Sequence, residues 1–150
     1  MQDTPKPTAF YNKTFDETVS LLEETRDYVA CGARTERRLW READGIRMSA
    51  ELMRVTARLT QVMAWLLVQK AIHAGELHPT DGARGPNRLS GRKVCLDTHM
   101  HGDRHIPPVL NNLLDRSHRL YVRVSRLDEM VARAVEADAV QPNWKPEFRL

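Results

Sequence analysis

Hydrophobic positions recur along this chain at spacings of three and four, the period of an amphipathic helix, and nowhere alternate as a strand would require. A first helix is expected over about residues 14–31. Thr14 followed by Glu17 fits a capping box, and Phe15, Val19, Leu22, Arg26 and Val29 trace one stripe with Thr18, Leu21, Thr25 and Tyr28 beside it. Gly32 offers its stop. A second helix runs from about Thr35 to Ala74 through Leu39, Ala43, Ile46, Met48, Leu52, Val55, Leu59, Val62 and Leu66, with Gly75 as its cap. Its one weak point is Gly45, where a kink is expected because glycine costs up to about 1 kcal/mol in a helix interior. At about 1.5 Å per residue such a helix is a rod of roughly 60 Å. A third helix enters at Pro107 and Pro108 and continues to about Ala137. It carries the heptad series 113, 117, 120, 124, 127, 131, 134, in which Ser117 is the one polar exception.

The remainder has no period. Residues 1–13, with Pro5 and Pro7, read as a flexible arm. Residues 75–107 read as a long loop rich in glycine and proline, of which part of 88–96 should pack down to bury Leu89, Val94, Cys95 and Leu96. Residues 141–150 read as a flexible tail. The expected architecture is all-α: a three-helix bundle over 14–140 with one long central helix, a single domain within 150 residues. The run Val62-Met63-Ala64-Trp65-Leu66-Leu67-Val68 is apolar all round, so it should be covered on more than one side. Two flanking helices could cover it, or a copy of the chain. Because twofold homodimers are the commonest oligomers, Val62, Met63, Trp65 and Leu66 are the candidate dimer interface.

Charge divides the helices further. Residues 14–31 carry five acids (Asp16, Glu17, Glu23, Glu24, Asp27) against Arg26, whereas residues 34–58 carry seven arginines against four acids. The two segments are complements, and an antiparallel pairing of one with the other is expected. A nucleic-acid binder would show an unopposed basic face, so nucleic acid is not expected as a partner. A helical DNA-binding regulator using Arg34, Arg37, Arg38 and Arg41 is an alternative, but a helix-turn-helix needs short helices where these are long. The longest apolar run falls far short of the roughly 18 residues of a membrane span, and the N-terminus has no signal-peptide pattern. With Cys31 and Cys95 as free thiols, a cytoplasmic location and no membrane partner are expected.

Cys95, His99, His101, Asp103 and His105 form the one constellation with metal-ligand chemistry, and a metal-binding loop enzyme built on Cys95, His99, His101 and His105 is the other alternative. The spacing His-x-His-x-Asp-x-His is one residue off a metallo-hydrolase pattern whose remaining ligands come from strands this chain lacks. A polar loop with incidental histidines is the reading adopted: no metal, no cofactor and no catalysis. No nucleophile and base pair, phosphate loop or carboxylate pair stands out. Trp144 and Phe148, in a tail punctuated by Pro142 and Pro146, are candidate partner-binding aromatics.

Some of these stretches carry a resemblance. Phe15-Asp16-Glu17-Thr18 and Leu21-Leu22-Glu23-Glu24-Thr25-Arg26-Asp27-Tyr28, then residues 48–76 with their core Leu59-Thr60-Gln61-Val62-Met63-Ala64-Trp65-Leu66-Leu67 and exit His73-Ala74-Gly75-Glu76, then Leu113-Leu114-Asp115-Arg116-Ser117 and 120–128, resemble the alphaproteobacterial RcdA family, the regulators of CtrA degradation. The resemblance implies a dimeric three-helix bundle without catalysis. It also implies an adaptor that docks on ClpXP protease primed by the response regulator CpdR, delivers cell-cycle regulators as protein cargo, and recruits the further adaptor PopA, which responds to cyclic di-GMP. The loop 75–107 matches no family pattern.

Overall fold

The structure is a computed structural model that describes residues 7–38, 41–100 and 102–139; the side chains of residues 7, 8, 36 and 37 stand outside that description. Every regular element among the described residues is helical. Helix α1 spans Pro7–Asp27, α3 Glu42–His73 and α6 Pro108–Ala139, and α1 and α6 both lie along α3. A π-helical turn, Tyr28–Gly32, leads from α1 into the short α2, Ala33–Arg37. Between α3 and α6 come α4 (Pro79–Gly82), a 3-10 turn (Gly85–Asn87) and α5 (Arg92–Cys95).

Helix α1 starts at Pro7, not at Thr14, because proline's fixed φ and missing N–H suit the first helical position. Thr14 is therefore no cap. It lies inside the helix, 2% exposed, and its carbonyl accepts the Thr18 hydroxyl at 2.7 Å. Thr25 bonds back to the Leu21 carbonyl in the same way at 2.7 Å. Satisfied inside their own helix, these hydroxyls can be buried, and the core-facing stripe is Thr14, Thr18, Leu21, Thr25 and Tyr28. Phe15 and Leu22 only flank it, and Arg26 and Val29 face outward. Gly32 sits so close to the Tyr28 ring that a Cβ there would meet Cδ2 at 2.9 Å.

The long helix breaks four residues before Gly45. Arg41 is extended (φ −66°, ψ 152°), and Glu42 and Asp44 occupy the first turn of α3, where the helix dipole favours negative charge. Gly45 lies inside α3, its N–H bonded to the Arg41 carbonyl at 3.0 Å. With 32 residues α3 is a rod of about 48 Å, shorter than the sequence suggests. It ends as expected: Gly75 takes φ 77°, and the pair Glu76 N–H to Ala71 O (2.9 Å) and Gly75 N–H to Ile72 O (3.1 Å) closes a Schellman motif.

The core runs along one face of α3. Met48, Val55, Leu59, Val62, Trp65 and Leu66 bury against Leu21 and Tyr28 on one side and Leu110, Leu113, Leu114, Leu120, Tyr121 and Val124 on the other. Val62, Trp65 and Leu66 are at most 2% exposed within a single protomer, so they are core and not a dimer interface. The two flanking helices cover them. Of the four candidates only Met63 keeps partial exposure.

The acids of α1 form ion pairs with arginines of α6, although the helix itself packs along α3 as well. Arg116 grips Glu24, with its Nη2 2.9 Å from Oε1, and Arg123 pairs with Glu17. The charge match expected between residues 14–31 and residues 34–58 is taken up at Glu17 and Glu24 by α6, which presents Arg123 and Arg116 to that acidic face.

Candidate interaction surfaces

Residues 76–107 are not a free loop but a strap bolted to α3 and α6. Leu89, Cys95 and Ile106 are buried, at 6%, 0% and 4% exposure, and two charged side chains hold the rest. Arg58, fully buried, donates Nε to the Cys95 carbonyl (2.7 Å), Nη2 to the Asp97 carbonyl (2.8 Å) and Nη1 to the Leu114 carbonyl (2.9 Å) and Ser117 hydroxyl (3.3 Å). One planar guanidinium thus joins α3, the strap and α6. Burial pulls its pKa down to about 10, and it remains a cation at neutral pH. The exceptional Ser117 of the α6 heptad is one of its acceptors. Leu89, Cys95 and Ile106 include two of the four residues expected to pack down, while Val94 and Leu96 stay 49% and 40% exposed.

Asp128 is the second bolt. It is 3% exposed and accepts Trp65 Nε1 (2.9 Å), the Leu89 N–H (3.3 Å) and the Arg88 guanidinium (2.9 Å), so a buried carboxylate is fully compensated. Tyr121 adds a hydroxyl bond to the Ser90 carbonyl at 2.7 Å, and burial raises its pKa to about 12. Arg54 holds the same strap from the α3 side, with Nη1 2.6 Å from the Val94 carbonyl and Nε 3.1 Å from the buried Glu51. Neither Arg58 nor Asp128 is distinguishable in the sequence from a surface charge.

The metal-ligand constellation does not assemble. Cys95 is fully buried, and that burial pushes its thiol up, away from the thiolate a metal needs. His99 turns to Asp97, Nδ1 to Oδ1 2.7 Å, and its two N–H contacts hold the Asp97 carboxyl down to about 2. His105 faces Arg41 and Arg47 across an open cleft. Among the described residues no three His, Cys, Asp or Glu side chains converge on a metal position; His101 lies outside them. Trp144 and Phe148 also lie outside the described residues.

The outer side of α3 has an order of its own. Ile46, Ala50, Met53, Ala57, Thr60, Ala64, Leu67 and Ala71 are spaced alternately four and three apart, a heptad stripe opposite the core face. Large side chains alternate with alanines and none is charged. Ile46 and Met53 are each 69% exposed and Leu67 52%, whereas Ala57 and Ala71 are half-buried. No described helix is long and apolar enough to cross a membrane.

The chain matches the family described as "Protein of unknown function (DUF1465)" over residues 4–146. It also matches the crystal structure of RcdA from Caulobacter crescentus CB15 at 33% identity and a TM-score of 0.63, over 81% of this chain and 89% of that one. No curated protein matches it. The chain belongs to the DUF1465 family, the RcdA family of helical proteins.

Proposed function

We propose that this protein is a non-enzymatic adaptor of the cytoplasm that docks on a primed ClpXP protease and delivers cell-cycle regulators for degradation. The observation that carries the reading is the likeness to RcdA at 33% identity across most of both chains. The fold is in keeping with it: the buried Arg58 and Asp128 fasten the strap to the long helices, and the ion pairs between α1 and α6 lie on exposed helix surfaces. The partners that follow are ClpXP, a CpdR-like priming regulator, a PopA-like adaptor, the protein cargo and a second copy of the chain. The second copy packs along the outer stripe of α3 from Ile46 to Ala71, where alanines at every second stripe position let two helices approach closely. Trp144 and Phe148 serve as aromatic anchors for a partner.

A pull-down of the full chain with ClpXP from Caulobacter crescentus, with and without unphosphorylated CpdR, tests the reading. Capture that requires CpdR is the expected result. Equal capture in both arms, or none in either, would overturn it.

A further inference from the structure

We infer that the corner where α3 begins, formed by Arg41 and Arg47 with His105 of the strap, is a docking surface for an acidic segment of a protein partner. Arg41, Ala43, Asp44, Arg47 and His105 line one open cleft of about 510 Å³. Two distant parts of the chain build it. The strap side is fixed by Ile106, 4% exposed, and by the His105 N–H donating to Asp103 at 2.8 Å. The other side is the first turn of α3.

What sets this corner apart is that two arginines without a partner among the described residues line one cleft. Arg54, Arg58, Arg88, Arg92, Arg116 and Arg123, by contrast, hold carboxylates or carbonyls. Among the described residues Arg41 and Arg47 have neither an ion pair nor a side-chain hydrogen bond, and both are exposed. The guanidiniums therefore keep their full capacity for forked hydrogen bonds to carboxylates.

The carboxylates interspersed here decide between partners. Asp44 lines the cleft itself, Glu42 adjoins Arg41, and Asp103 lies two residues from His105. A nucleic-acid backbone carries uniform negative charge and would meet these acids as well as the arginines. A polypeptide can set Glu or Asp against the arginines and neutral or basic residues against the acids, so mixed charge favours a protein. The inference goes beyond the adaptor reading and does not need the protease.

The test is fluorescence anisotropy of the full chain with a labelled peptide of alternating glutamate and serine, beside a duplex DNA of equal formal charge. The peptide should bind the wild type. The Arg41→Glu, Arg47→Glu double variant should bind it about tenfold more weakly. Arg126→Glu with Arg133→Glu, exposed on α6, should change it less than about twofold, a difference in line with charge position and not net charge. Helical circular dichroism of both variants guards against misfolding. Equal losses in the two double variants, no peptide binding, or tighter binding of the duplex than of the peptide would each overturn the inference. A failed ClpXP pull-down would leave this result standing.

Discussion

The two faces of α3 have similar composition and opposite fates. The inner face, Met48, Val55, Leu59, Val62, Trp65 and Leu66, is at most 2% exposed. The outer face, Ile46 through Leu67 with its alanines, carries no charge, and its large side chains are exposed. The difference lies in the neighbours. α1 and α6 both come down on one side of α3, and among the described residues the large side chains of the other side, Ile46, Met53 and Leu67, stay exposed. An apolar stripe in a sequence therefore marks a surface that must be covered, and only the fold shows which stripe its own chain covers.

Charge placed on each face separates the two. Trp65→Glu removes a buried indole and its bond to Asp128, and buries a carboxylate beside another. Losing a large core aromatic costs about 3–5 kcal/mol before the charge is counted, a large share of a domain's stability. The variant should lose its cooperative thermal transition in circular dichroism. Met53→Glu with Leu67→Glu should keep helix content and that transition, and on the proposed dimer light scattering should show the variant as a monomer beside a dimeric wild type. A folded Trp65→Glu monomer, or an unchanged dimer with both outer substitutions, would reverse the assignment of the faces.

One polar residue on the inner side gives the next largest effect. Arg58→Met keeps the length of the stem but strands the carbonyls of Cys95 and Asp97, while the Leu114 carbonyl keeps the Ser117 hydroxyl. Each buried acceptor left unpaired costs about 1–3 kcal/mol, less where water can enter, so a loss of at least about 2 kcal/mol is expected in urea unfolding. Hydrogen exchange should show the strap losing protection before the long helices do. Uniform loss across α1, α3 and α6 would mean that Arg58 supports the bundle as a whole and not the strap.

Periodicity made the three long helices and their shared core legible in the sequence, since α3 and α6 bury residues at the expected three and four spacing. The Gly75 stop was equally readable, because glycine alone takes that φ cheaply. The start of α1 was missed: proline reads as a breaker until its place at the first turn is seen. The strap was hidden for a different reason. Its anchors are Arg58 and Asp128, and a buried charge has the same letter as an exposed one. Ser117 was the visible trace, a polar residue in an otherwise apolar heptad, and it marked where a donor from another helix would arrive. The outer stripe is harder to read than the denser apolar run at Val62–Val68, of which the bundle buries Val62, Trp65 and Leu66 within the protomer.

The same inner face carries one polar group without a partner, which gives the smallest effect. Gln69 is 3% exposed, and its Nε2 makes no hydrogen bond among the described residues. It lies one turn from Trp65 and one turn from His73, the two rings that Tyr11 of α1 contacts at centroid distances of 6.0 and 5.0 Å. A methionine has nearly the volume of glutamine, no amide to desolvate, and a flexible thioether suited to aromatic neighbours. Gln69→Met should therefore raise stability by about 1 kcal/mol, read as a higher urea midpoint at unchanged slope. A lower midpoint would show that the amide is satisfied in solution. The inner face of α3 would then be polar by design at this turn, as it is at Arg58.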